Sequence, residues 1–140
     1  FKYAPGAIIS LLHDVTMIVG IFIIIQKEFN LQIVAALLAI IGYSVNDTVI
    51  VYDRVRENEL AHPHYKLADN INSSVNSTLS RTILTSFATF LVCLIMFLMG
   101  GSVIHDFFFA MCIGIFVGTY SSIFVASSTT LFLEKFKLRK

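Results

Sequence analysis

Asp47 lies between Asn46 and Thr48 inside an apolar run, and Asp14 sits beside His13 inside an earlier one. A carboxyl group at membrane depth costs roughly 2.5–3.5 kcal/mol on insertion scales, so a helix that only had to span would avoid it. Arg81 stands at the mouth of a third run and is followed at i+4 by Thr85. With a helical rise of about 1.5 Å per residue, Asp14 falls roughly 12 Å and Asp47 roughly 8 Å from the same end of their spans. The long Arg81 side chain reaches inward from that end. Two acids and one guanidinium can therefore meet in one layer of a helical bundle.

Arginine stays protonated in essentially any protein environment. Its attraction favours an ionised Asp47, whereas desolvation favours the protonated acid. A carboxyl balanced between the two changes protonation when a small movement separates it from the arginine, which is the physical basis of a proton relay. A fixed Asp47–Arg81 ion pair that only orients two helices is the plainer alternative. Asn46, Thr48, Thr82 and Thr85 can hydrogen-bond the pair or hold water, but helix back-bonding and interhelical contact account for such residues as well. Asp14 reads equally as a second relay site, as an acid neutralised by His13, or as a cap on a neighbouring helix.

The elements that must position these groups follow from hydropathy. Of 140 residues, 56% are hydrophobic and only 14% charged, with a mean hydropathy of +0.81; soluble domains carry roughly 25% charged residues. Four apolar runs, at about 6–25, 31–52, 82–99 and 107–133, each supply the roughly 18–25 residues needed to cross hydrocarbon, and the last is long enough to tilt or extend into the interface. The alternation expected of a membrane barrel is absent. The fold class is thus an all-α integral membrane protein of four transmembrane helices, treated as one domain over 1–140.

Short turns at 26–30 and 100–106, the second holding Gly100-Gly101, pair the spans into two hairpins. In the connection 53–81, Leu67, Ile71, Val75 and Leu79 recur at i+4 among Asn and Ser. That pattern predicts an amphipathic helix lying along the cytoplasmic membrane surface after Pro63 and turning inward at Arg81. Lys2, Arg54, Arg56, Lys66, Arg81, Lys135, Lys137, Arg139 and Lys140 fall on one side and only Lys27 on the other. The asymmetry places both ends of the chain and the 53–81 connection in the cytoplasm.

Gly114, Gly118, Ser122 and Ala126 form an i+4 ridge of small residues, with a GxxxG match at its start, suited to close helix approach within the chain or against a partner. His62, His64 and His105 read as solvated rather than as metal ligands, and Cys93 and Cys112 as small buried hydrophobes. Three Asn-x-Ser/Thr triplets, beginning at Asn46, Asn72 and Asn76, are chance matches at these placements. The basic tail suits topology and anionic lipid rather than nucleic acid. Phosphate-binding and dinucleotide fingerprints are absent, and no nucleophile–base arrangement stands out. Neither an enzyme nor a cofactor is expected. Phe1 in place of an initiator Met, with no signal peptide ahead of the first run, reads as a piece of a longer chain.

Taken in order, Leu12-His13-Asp14, residues 42–58 (GYSVNDTVIVYDRVREN), Thr78-Leu79-Ser80-Arg81-Thr82 with Thr85-Ser86, Gly100-Gly101, and 114–122 cover nearly the whole chain. This string resembles the membrane part of SecF-type members of the SecD/SecF protein-export family, either as a separate SecF or as the matching half of a fused SecDF. The resemblance implies spans three to six of a six-span bundle of the resistance-nodulation-division (RND) type in the bacterial inner membrane. It also implies SecD and the SecYEG translocon as partners, and an exported polypeptide handled by a periplasmic domain ahead of this segment. Use of the proton-motive force, with Asp47, Arg81 and Thr85 in the proton pathway, is implied too. A small-molecule exporter of the same superfamily and a non-transporting membrane scaffold remain the competing readings.

Overall fold

The computed structural model describes residues 3–137, the side chains of 136 and 137 excepted. Lys2, Arg139 and Lys140, used above for orientation, lie outside the described residues, as does the Lys137 side chain. Five α-helices run α1 Ala4–Ile24, α2 Leu31–Ala61, α3 Leu67–Met99, α4 Ser102–Tyr120 and α5 Ala126–Lys137, with a π-helical turn, Ser121–Val125, joining α4 to α5 in one span. Among the described residues, four segments are therefore long and apolar enough to cross a membrane.

Local chemistry sets the ends. Pro5 occupies the first turn of α1, where its missing N–H costs nothing. The same helix closes with Gln26 in the left-handed region at φ 54°. The Gln26 N–H donates to the Ile23 carbonyl at 3.1 Å and that of Lys27 to the Phe22 carbonyl at 3.2 Å, the paired bonds of a Schellman ending. Asn30 Oδ1 accepts from the Ile33 N–H at 3.0 Å and caps α2. At the second reversal Gly101 adopts φ 78°, a conformation that suits a residue without Cβ.

Two boundaries differ from those expected. The second helix does not end near Tyr52 but runs on to Ala61, because its charged exit contains helix-tolerant residues, including the i,i+3 pair Arg54–Glu57 at 2.6 Å. The amphipathic segment is not a separate surface helix that turns at Arg81. It is the first third of α3, which continues without interruption to Met99. No Gly or Pro lies between 67 and 99, and the Ser- and Thr-rich stretch hydrogen-bonds its own backbone, as in Ser74 to the Asn70 carbonyl at 2.6 Å and Thr78 to the Ser74 carbonyl at 2.9 Å. At 33 residues, α3 is about 50 Å long, well beyond the roughly 30 Å of a hydrocarbon core.

The interior is layered along the bundle axis. Near the reversals at 26–30 and 100–101, the turn face, Ile18, Phe22, Ile33, Ala36, Ile40 and Ala110 form one apolar cluster. Near the connection 62–66, the loop face, Val51, Val55, Leu67 and Ile71 form another. Between them the buried positions turn polar: Ser10, Asp14, Ser44, Asp47, Thr48 and Thr82, with Ser86, Ser121 and Ser122 beside them. The outer surface is rich in exposed Leu, Ile, Val and Phe, as a lipid-facing bundle requires.

Candidate functional site

Helix α2 carries one buried acid of the polar layer. Asp47 is 2% exposed, and its Oδ2 is fully buried without a hydrogen-bond partner. A buried polar atom left unpaired is costly, so each one calls for a physical reason. Its neighbour Thr48 is equally buried, with Oγ1 also unpartnered. Asn46 is exposed, because one residue along a helix turns the side chain by about 100°. It does not join the site.

Helix α3 presents Thr82 inward, 2% exposed, while Arg81 and Thr85 lie on its exposed side. The Arg81 charge is near enough to act on Asp47 through space, but no ion pair joins the two. Instead Arg81 lines an open groove of about 260 Å³ with Ile50, Asp53, Arg54, Glu57 and Thr78 at the loop face. The Thr85 hydroxyl donates back to the Arg81 and Thr82 carbonyls at 3.0 and 3.1 Å, which is helix back-bonding. Sharing a face with Arg81 therefore places Thr85 away from Asp47.

Asp14 on α1 is fully buried. Its Oδ2 accepts from Ser44 Oγ at 2.6 Å, and His13 Nδ1 lies 3.3 Å from Oδ1. The structure thus supplies the His13 contact, and the hydrogen bond to a neighbouring helix goes to a side chain, not to a helix end. On the last span Gly114, Gly118, Ser122 and Ala126 are all buried, and the first two pack against Ile40 and Ser44 of α2. The ridge serves packing within the chain.

Several polar residues of this layer carried no assigned role in the sequence reading. Tyr43 donates to Ser86 Oγ at 2.8 Å, which lies 2.7 Å from Thr119 Oγ1. Ser10 and Ser121 hydroxyls meet at 3.2 Å, and Tyr52 donates to the Ala126 carbonyl at 2.8 Å. Their signal was present: Gly6-Ser10-Asp14 and Ser44-Thr48-Tyr52 are i+4 stripes of small or polar residues in otherwise apolar helices. The π turn had no such signal. It is marked by the Ala126 N–H bonding the Ser121 carbonyl, five residues back, and π turns inside α-helices are frequent at functional sites. Outside the spans, burial first and the Glu59 carboxylate second push the Tyr3 phenol above its ordinary range, so it remains a donor to Glu59 at 2.5 Å. Among the described residues no cluster of His, Cys, Asp and Glu is arranged to hold a metal.

Four membrane-length helices enclosing buried acids and hydroxyls between two apolar clusters define a polytopic helical membrane domain with an intramembrane polar site. Residues 1–136 match the family described as "Protein export membrane protein SecD/SecF, C-terminal", and the chain belongs to that family. It is 50% identical over 133 residues to the protein translocase subunit SecF of Rhodobacter capsulatus, covering 95% of this chain and 40% of that protein. To the protein translocase subunit SecDF of Brucella abortus it is 52% identical over 127 residues, 91% of this chain and 17% of the relative. The crystal structure of SecDF in its super-membrane-facing form superposes with a TM-score of 0.92 at 41% identity, over 99% of this chain and 19% of that one. The chain thus spans under half the length of this SecF relative and under a fifth of the SecDF ones.

Proposed function

We propose that this domain serves a Sec protein translocase as an accessory membrane unit that uses the proton-motive force to promote protein export, with Asp47 as the proton-binding group and Arg81 as its electrostatic counterpart. The observation that carries this reading is Asp47 itself, buried with an unpartnered carboxyl oxygen in a polar layer, near Arg81 but out of contact with it. Proton arrival at Asp47 changes its attraction to Arg81, and α2 and α3 shift relative to one another. The drive available is about 2.3 kcal/mol per charge per 100 mV, enough to bias a conformational equilibrium without a covalent intermediate. The domain acts by movement and is not an enzyme.

The names of the relatives support the export role, and one matching structure is described as SecDF, a translocon-associated membrane protein. On this reading the partners are SecD and SecYEG, the exported polypeptide is handled outside this chain, and the site is the bacterial inner membrane. Arg54, Arg56, Lys66, Arg81 and Lys135 at the loop face, against Lys27 at the turn face, support a cytoplasmic loop face and cytoplasmic chain ends.

The test is proton-motive-force-dependent secretion by the complete complex carrying Asp47→Asn, at membrane abundance and assembly equal to wild type. Loss of the force-dependent stimulation is expected. Export that stays fully force-dependent would remove Asp47 from the coupling and reduce it to architecture.

A further inference from the structure

A second polar seam runs between α1, α2 and the α4–α5 span, and the Asp47 site does not use it. Helix α1 contributes Asp14, Ser10 and Gly6 at four-residue steps toward the loop face, and α2 contributes Ser44, Thr48 and Tyr52 at the same steps in the same direction. In the innermost layer Ser44 donates to Asp14 Oδ2 at 2.6 Å. One turn on, the Ser10 and Ser121 hydroxyls meet at 3.2 Å, and Thr48 Oγ1, which shares the Ser44 face, is buried without a protein partner. A further turn on, the Tyr52 hydroxyl donates to the Ala126 carbonyl and lies 2.8 Å from Thr130 Oγ1. There Gly6 leaves room for that hydroxyl, which a Cβ would overlap together with Thr130 Oγ1. Finally the Tyr3 ring stacks on Tyr52 at 5.1 Å, and its hydroxyl donates to Glu59.

Hydroxyls therefore recur at every turn from a carboxylate at the loop face to a fully buried acid. Apolar side chains of equal size would pack three helices as well, and an unpartnered buried hydroxyl is a cost that packing alone does not explain. We propose that Asp14 is a second proton-binding site, separate from Asp47 and served from the loop face through this seam; the inference rests on the reading that the domain moves protons. Each hydroxyl accepts a proton on its oxygen as it releases its own to the next acceptor, so charge advances and no hydroxyl is consumed. Successive layers, four residues apart along each helix, are about 6 Å apart, beyond one hydrogen bond. Water molecules carry the proton between them, and Thr48 Oγ1 offers one of these a donor and an acceptor. The titratable groups along the seam are His13 and Tyr3 from the first segment and Tyr52 and Glu59 from α2. Asp53 and Arg56 of α2 line a cleft with Tyr3 and Tyr52 at its loop-face end. The last span adds hydroxyls, the Tyr120 ring 6.4 Å from His13, and Glu134, whose charge acts on Tyr3.

The test uses the complete protein with its partners in lipid bilayers and follows protonated-carboxyl stretching bands by infrared spectroscopy as water is replaced by heavy water. The Asp14 band is the one that Asp14→Asn removes and Asp14→Glu displaces. Tyr52→Phe, which keeps the ring against Tyr3, should slow its isotope shift about tenfold, and Ser10→Ala should slow it similarly, the equivalent of one lost hydrogen bond in the barrier. Exchange of the Asp47 band should be unaffected. If both variants exchange as fast as wild type, the route is wrong. If no protonated-carboxyl band responds to either Asp14 variant, Asp14 is a fixed hydrogen-bond anchor and the site is wrong. Force-dependent secretion is read separately, so failure of the coupling role of Asp47 is distinguishable from failure of the Asp14 site.

Discussion

At Asp14 the two carboxyl oxygens meet different partners, a serine hydroxyl at 2.6 Å and an imidazole nitrogen at 3.3 Å. Removing the shorter contact leaves a buried carboxyl oxygen unpaired, so Ser44→Ala should lower stability by about 1–3 kcal/mol. Ser10→Ala should cost about 0.6 kcal/mol, typical of neutral side-chain bonds between membrane helices, because Ser121 keeps its bond to the Gly118 carbonyl at 3.2 Å. Reversible unfolding in bicelles compares the two directly, and equal losses would mean that the carboxyl does not dominate the seam. Both acids were legible from residue type alone, since the cost of a carboxyl at that depth is independent of its neighbours. Their partners were not. Asn46 adjoins Asp47 in sequence but projects to the exposed side, and Thr85 satisfies its hydroxyl on its own helix.

Between elements, the small-residue ridge acts unevenly. A Cβ at Gly114 would overlap the Ile40 side chain of α2, whereas at Gly118 it would lie 3.4 Å from Ser44 Cβ, at the edge of ordinary contact. Gly114→Ala should therefore destabilise the bundle by about 1–3 kcal/mol, as overpacking does, and Gly118→Ala should be close to neutral. Combining Gly114→Ala with Ile40→Ala should cost less than the sum of the two single changes when unfolding is measured in a double-mutant cycle. Additive losses would show that these two side chains are not the point of closest approach. The GxxxG spacing revealed that close packing occurs, but the two glycines are equivalent in the pattern and only the facing side chain separates them. Continuity of α3 through Arg81 had a plainer cue, the absence of any Gly or Pro from 67 to 99, which the amphipathic pattern of its first turns obscured.

Across the whole molecule, the two hairpins are fastened at the turn face by Lys27. Its ammonium pairs with Asp106 and lies 5.2 Å from the centre of the Phe109 ring, while Gln32 donates to the Val103 carbonyl beside it. Both charged side chains are about one-third exposed, so the pair is worth about 0.2–1 kcal/mol. Lys27→Gln should lose that amount at low salt and less at high salt, and exchanging the two charges should restore most of it. A loss that ignores salt would point to the ring contact in place of the ion pair. At the other end, Tyr3 stacked on Tyr52 and bonded to Glu59 ties the start of α1 to α2. The polar layer is thus held between two apolar clusters and clamped at both faces.

Hydropathy by itself determined that the chain is four membrane-length helices in two hairpins, because unpaired backbone groups in lipid leave a continuous apolar run no other regular structure. Residue type by itself marked Asp14, Asp47 and Arg81 as exceptional, because charge at membrane depth is costly wherever it stands. Which of them meet was decided only by tertiary structure. Helix rotation and axial register turn Arg81 outward and Ser44 onto Asp14, and an extra residue in the turn at Ser121–Val125 sets the hydroxyls of the last span. Those quantities depend on how neighbouring helices interlock, which no single helix carries in its own sequence.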